Sequence, residues 1–137
     1  MIEAHDKILP FKGYEAIEPD QLDTFPYEYP GREIELVIET NEFTAVCPFS
    51  GLPDFGTVRI TYTPGTRCIE LRSFKYYLLT YRDVGIYYEH AINRILEDLV
   101  NCCKPVRMSV ELEYTIRGGV ETRAKATYPG TKVGAKA

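Results

Sequence analysis

The sequence predicts an α+β fold: four antiparallel strands carrying one layer of two helices, in the order ββααββ. Three observations predict it. Residues 32–40 and 56–63 alternate apolar with polar, and so do 106–116 and 120–127. Between these pairs, over 70–103, the apolar period changes to three and four residues. Gly118-Gly119 then joins the last two strands as a hairpin turn. A chain of 137 residues fits one domain with one core.

Residues 1–31 read as an extended arm rich in proline and tyrosine, with a disordered tail as the alternative. Prolines at 10, 19, 26 and 30 exclude a long helix or a central strand. Phe11, Tyr14, Phe25, Tyr27 and Tyr29 favour an arm that packs on its own domain or a neighbour. The folded domain spans 32–128. In its first strand Ile34, Leu36 and Ile38 face one way, and Glu33, Glu35 and Glu39 the other. Residues 43–47 continue or bulge this strand, and Pro48, Gly51 and Pro53 punctuate a turn. Val58, Ile60 and Tyr62 alternate in the second strand, which Pro64-Gly65 closes. Phe74, Tyr77, Leu78 and Tyr81 mark a first helix of about three turns from residue 70. A break at 83–85 precedes a second helix over 86–103, with Ala91, Ile95, Leu99 and Cys102 on one stripe. Pro105 ends it. Val106, Met108, Val110, Leu112, Tyr114 and Ile116 alternate in the third strand, and Val120, Thr122, Ala124 and Ala126 in the fourth. Residues 129–137 are small and basic and read as a loose tail. Such a sheet has two open edges, which invite pairing with other subunits.

Composition bounds the function. A net charge of −4 gives no general nucleic-acid footprint, so no nucleic-acid partner is expected. No apolar run approaches the roughly 18 residues that cross a bilayer. The N-terminal stretch is acidic and lacks an apolar centre, so no signal peptide and a cytoplasmic location are expected. Cysteines stand at 47, 68, 102 and 103, without the spacing of a zinc ribbon or finger. Cys68, Cys102 and Cys103 read as structural. With only His5 and His90 in the chain, a metal site lacks ligands, and a cysteine–histidine dyad would have to use His90.

Cys47 differs from the other cysteines by its setting, at a strand end before Pro48. A thiolate there is a nucleophile if a base or positive charge supports it. Asp54 lies across the PFSGLP turn and can reach the same reacting centre; desolvation would raise its pKa and let it pass protons near neutrality. Its ordinary role would be a turn residue bonding the backbone. Arg72 and Lys75 are three apart on one helical face, beside Ser73, a spacing suited to a phosphate, although such a pair is ordinarily a solvated helix face. Glu89 at the second helix start suits the helix dipole, and a carboxylate also accepts two N–H donors from a guanine-like edge. Arg117 before Gly118-Gly119 adds a charge or a stacking plane. No GxGxxG precedes a helix, which excludes a Rossmann site.

Together, CPFSGLPDFG, ELRSFKYY, YYEH and RGG at these separations resemble the 7-cyano-7-deazaguanine reductases of queuosine biosynthesis, in their short single-domain form. The resemblance covers about residues 33–128. Glu70 to Tyr77 matches the family helix motif with Arg72 for lysine. The resemblance implies the tunnelling fold, in which subunits join their sheets into rings and two rings stack. It implies a homo-oligomer, NADPH as cofactor, and 7-cyano-7-deazaguanine as substrate. Carried over by position, Cys47 adds to the nitrile carbon as a thioimide-forming nucleophile, and Asp54 is the proton donor. Glu89 anchors the deazaguanine, with Ile69, Glu70, Leu71 and Tyr88 in the same pocket. Arg72, Ser73, Lys75, Arg117 and Gly118 fall to the cofactor. Many relatives have histidine where this chain has Tyr88, and a phenol does not relay protons near pH 7 as imidazole does. Three other readings remain: an amidinotransferase acting on the nitrile in transfer RNA, a zinc cyclohydrolase-type enzyme, and a non-catalytic ring-forming module.

Overall fold

The computed structural model describes residues 10–130, and at Ile116 and Arg117 it describes the backbone alone. His5 and the tail beyond 130 lie outside the described residues. The strands are β1 (Thr24–Pro26), β2 (Leu36–Val46), β3 (Pro53–Thr63), β4 (Arg67–Ile69), β5 (Arg107–Arg117) and β6 (Val120–Tyr128). The helices are α1 (Leu71–Leu79) and α2 (Tyr88–Cys103). The main sheet is antiparallel in the order β2-β3-β5-β6, and both helices cover one face. This is the expected ββααββ arrangement, with the minor pair β1-β4 added.

Alternation explains the sheet. Val58, Ile60 and Tyr62 of β3 and Met108, Val110 and Leu112 of β5 are buried under the helices. The opposite face is wet and crossed by ion pairs. Arg59 meets Glu39 at 2.6 Å and Glu111 at 3.6 Å, and Arg123 meets Glu113 at 3.4 Å. β2 runs past residue 40 because of a bulge between Thr40 and Phe43. Leu36, Ile38 and Thr40 pair with the inward residues of β3, and after the bulge Phe43 and Ala45 do so. One extra residue switches the parity from even to odd, which hides the second half of the strand from a period-two reading. At the β5-β6 hairpin Gly118 and Gly119 take φ of 57° and 79°, conformations that glycine adopts without strain.

The two helices run in opposite senses. Glu70 caps α1: its carboxylate accepts from the N–H groups of Arg72 at 2.8 Å and Ser73 at 2.9 Å. Phe74, Tyr77 and Leu78 turn inward. In α2 the buried stripe is Ala91, Ile92, Ile95, Asp98, Leu99 and Cys103. It thus takes Cys103, not Cys102, and it includes a carboxylate. Lys104 ends the helix in the left-handed region at φ 46°.

The N-terminal segment is more integrated than an extended arm. Lys12 exchanges backbone hydrogen bonds with Asp83 and Gly85 at 2.7 and 2.8 Å. Short 3-10 turns follow at Tyr14–Ala16 and Pro19–Gln21. Ile17 joins the common core at 4% exposure, a burial that stabilises by about 2 kcal/mol. A boundary at residue 31 therefore does not separate this segment from the core.

Candidate active site

Cys47 follows the last residue of β2. The turn closes on itself: Cys47 N–H donates to Leu52 O at 2.9 Å, and Gly51 N–H donates to Cys47 O at 2.7 Å. Val46 holds the turn against the loop before α2. Its N–H donates to Val84 O at 2.9 Å, and Ile86 N–H donates to its carbonyl at 3.0 Å. Cys47 is partly exposed, whereas burial pushes the Cys103 thiol up to about 12 and raises Cys68 as well. Of the four cysteines, Cys47 alone sits in such an open turn, and none forms a disulfide.

Asp54 is not a turn residue. It lies in β3 opposite Ala45, so its side chain shares the helix-facing side of the sheet. The expectation missed this because the strand starts at Pro53, and proline argues against a strand interior but not against a strand start. The same sheet end receives the start of α2. Tyr88 is half-buried and Glu89 exposed, at the first two positions of that helix. His90 is exposed beside them.

Tyr114 is the residue that ties these groups together, and the motifs did not single it out. It pairs with Gly56 in β3, two residues from Asp54 on the same face. Its ring stands edge-on to Tyr88, centroids 5.5 Å apart at 67°. Burial holds its phenol well above the usual tyrosine range, and the charges of Asp54, Glu89 and Cys47 push it in the same direction. All three groups thus act on one tyrosine. A Cβ at Gly56 would come within 2.6 Å of the Tyr114 ring and 2.7 Å of Glu113 O, so the close approach needs glycine. The available signal was parity: Tyr114 is the polar-tipped member of an otherwise apolar inward row.

Ile69, Glu70 and Leu71 lie elsewhere. Ile69 N–H donates to Tyr62 Oη at 2.9 Å. Tyr62 and Asp54 stand at opposite ends of β3, roughly 27 Å apart at about 3.4 Å per residue. A single pocket holding Cys47, Glu89 and residues 69–71 is therefore not formed within one chain. The Glu70 carboxylate is engaged as the helix cap, which lowers its pKa through the two backbone hydrogen bonds.

The cationic face of α1 starts at that same far end. Arg72 and Lys75 are exposed, and neither forms a salt bridge within the described residues. Lys75 borders a groove of about 200 Å³ between α1 and β2, with Ile38, Leu71, Phe74, Leu78 and Leu79. A cation pair beside an apolar groove suits the phosphates of a dinucleotide. Ser73 does not share this face. It is buried, its Oγ donates to Glu70 O at 2.7 Å, and it accepts from Asp23 N–H at 2.9 Å. Gly118 lies in the hairpin beyond Tyr114, at the Cys47 end, and the Arg117 side chain lies outside the description.

A four-stranded sheet under two helices, with a cysteine turn at one end, defines a tunnelling-fold subunit. Comparison with known proteins agrees. A family model described as QueF-like protein matches residues 53–132. A NADPH-dependent 7-cyano-7-deazaguanine reductase of Chloroherpeton thalassium is 46% identical over 85% of this chain and 100% of its own length. Enzymes of the same name from Chlorobaculum tepidum (47%; 81% of this chain and 95% of that one) and Thermotoga maritima (49%; 89% and 88%) are similar. The crystal structure of an archaeosine synthase QueF-Like protein in the apo form superposes with a TM-score of 0.63 at 24% identity, over 72% of this chain and 95% of that one. That likeness concerns the fold. The chain belongs to the family of QueF-like NADPH-dependent 7-cyano-7-deazaguanine reductases.

Proposed function

We propose that this protein reduces the nitrile of 7-cyano-7-deazaguanine to the aminomethyl group, using two NADPH per nitrile, in the formation of queuosine. The observation that carries this reading is that the Cys47 turn after β2, Asp54 at the start of β3 and Glu89 at the start of α2 share one end of the sheet, where Tyr88 of α2 packs on Tyr114. Glu89 accepts the paired N–H donors of the deazaguanine edge and sets the nitrile toward the cysteine turn. The Cys47 thiolate adds to the nitrile carbon. The C–S bond forms as one π pair moves to nitrogen, where Asp54 supplies a proton. The product is a thioimide, a far better hydride acceptor than a nitrile. When bound, NADPH would supply two hydrides to that carbon, and a second proton, taken from solvent through Asp54, completes the amine. Between the two hydrides the nitrogen lone pair expels the Cys47 thiolate and leaves the imine. Arg72 and Lys75 hold the cofactor phosphates, and the 118–119 hairpin with Arg117 borders the reacting end.

We propose further that the site is built by two copies of the chain. Residues 69–75 and the cysteine turn lie at opposite ends of the sheet, so a ring of subunits supplies one group from each neighbour. The exposure of Phe49 at 79%, Phe55 at 53% and Leu52 at 47% around the Cys47 turn supports a covered surface there. The two sheet edges, β2 and β6, supply the joints.

The test is NADPH oxidation by the purified protein with 7-cyano-7-deazaguanine. Two NADPH consumed per amine formed is the expected stoichiometry. Amidine formation with ammonia and no NADPH oxidation would instead mark a transferase.

A further inference from the structure

Tyr114 carries an unexplained feature. Its Oη is buried and has no hydrogen-bond partner among the described residues. A buried hydroxyl left unpaired costs roughly 1–3 kcal/mol, and nearby alternatives would avoid that cost. A phenylalanine would fill the same space without the unpaired oxygen. The ring is nevertheless held with care. Glycine at 56 opens the space beneath it, and the Tyr88 ring braces it from α2. The register sets its hydroxyl on the face shared with Asp54, at the sheet end where the cysteine turn and Glu89 meet.

From this geometry we infer that Tyr114 Oη donates a hydrogen bond to the nitrogen of the nitrile, and then of the thioimide, as Cys47 adds to the carbon. The inference rests on the proposed reductase reading and adds a residue to it. Donation costs no proton: the phenol O–H stays intact while the proton that ends on nitrogen comes from Asp54. Negative charge builds on nitrogen as the C–S bond forms, and a fixed donor in a buried site stabilises such charge far better than water does. Burial above all, with Asp54, Glu89 and Cys47 acting in the same direction, holds the phenol above the ordinary tyrosine range, so it stays protonated and remains a donor. The role differs from that of a histidine relay at position 88. Tyr88 positions the donor; Tyr114 makes the contact.

Tyr114→Phe removes the one oxygen. The experiment follows wild type and Y114F by the rate of covalent adduct formation on mixing with the nitrile without NADPH, by steady-state kcat and KM, and by Tm. The expected result is that adduct formation and kcat fall roughly 10- to 100-fold. KM for the nitrile should change by less than about threefold, the mark of an interaction gained in the transition state. The unliganded Y114F protein should be at least as stable as wild type, because no partner is lost, while the adduct should raise the wild-type Tm more than that of the variant. Rates within about twofold of wild type, a loss confined to KM, or a lower Tm for unliganded Y114F would each overturn the inference. A wild type that forms no adduct would instead remove the reductase reading on which it rests.

Discussion

Asp98 shows how one buried side chain fixes the packing of both helices. Its Oδ2 accepts from Tyr77 Oη at 2.6 Å and from Arg94 Nε at 2.9 Å. The Tyr77 and Tyr81 hydroxyls meet at 2.8 Å. Burial raises both phenols well above their ordinary pKa, so they stay protonated within this network. Asp98→Ala strips the acceptor and leaves a phenol and a guanidinium without their partner. The expected loss is about 3 kcal/mol in urea unfolding, with a smaller loss for Asp98→Asn. A loss below about 1 kcal/mol would show that solvent replaces the carboxylate. Nothing in the periodic pattern of α2 announces this residue. Asp98 occupies a position that the helical period marks as inward, and only the facing tyrosines of α1 make it compatible with burial.

Helix capping sets a pH-dependent contribution at the element scale. The pKa of Glu70 is lowered in the folded protein by hydrogen bonds from the N–H groups of Arg72 and Ser73. The stabilisation is therefore fully present above the ordinary value of 4.5 and is lost as pH falls through the lowered folded value. Glu70→Gln should lower Tm at pH 7, and the gap to wild type should close as the pH is brought below that range. A constant gap at all pH values would assign Glu70 another role. Several elements were legible from the sequence because period and burial coincide. The β5-β6 hairpin, α1 and α2 are of this kind. Where a bulge changes parity, as at 40–43, or where three residues pair with three, as in β1 and β4, the pattern is too short or too broken to read. The site divides in the same way. Cys47 and Glu89 stand out by motif, whereas Tyr114 and the strand setting of Asp54 depend on a register that only the folded sheet supplies.

At the scale of the molecule, the expected site residues split between the two ends of one subunit. Cys47, Asp54, Tyr88, Glu89 and Gly118 occupy one end; Ile69 at the close of β4, the cap Glu70, and Leu71 and Arg72 at the start of α1 lie at the other. Sites shared between subunits then predict complementation. Cys47→Ala and Leu71→Asp, each inactive alone, should regain activity when unfolded and refolded together, to roughly a quarter of wild type for random assembly of an equal mixture. No recovery, in a mixture shown to co-assemble, would contradict shared sites. Covalent bonding of Cys47 to the nitrile carbon is read directly by intact mass measurement of the protein mixed with 7-cyano-7-deazaguanine, without NADPH. The expected result is a gain of one substrate mass per chain, located on Cys47 and lost in Cys47→Ala. An unmodified wild type, or a gain that persists in Cys47→Ala, would contradict it.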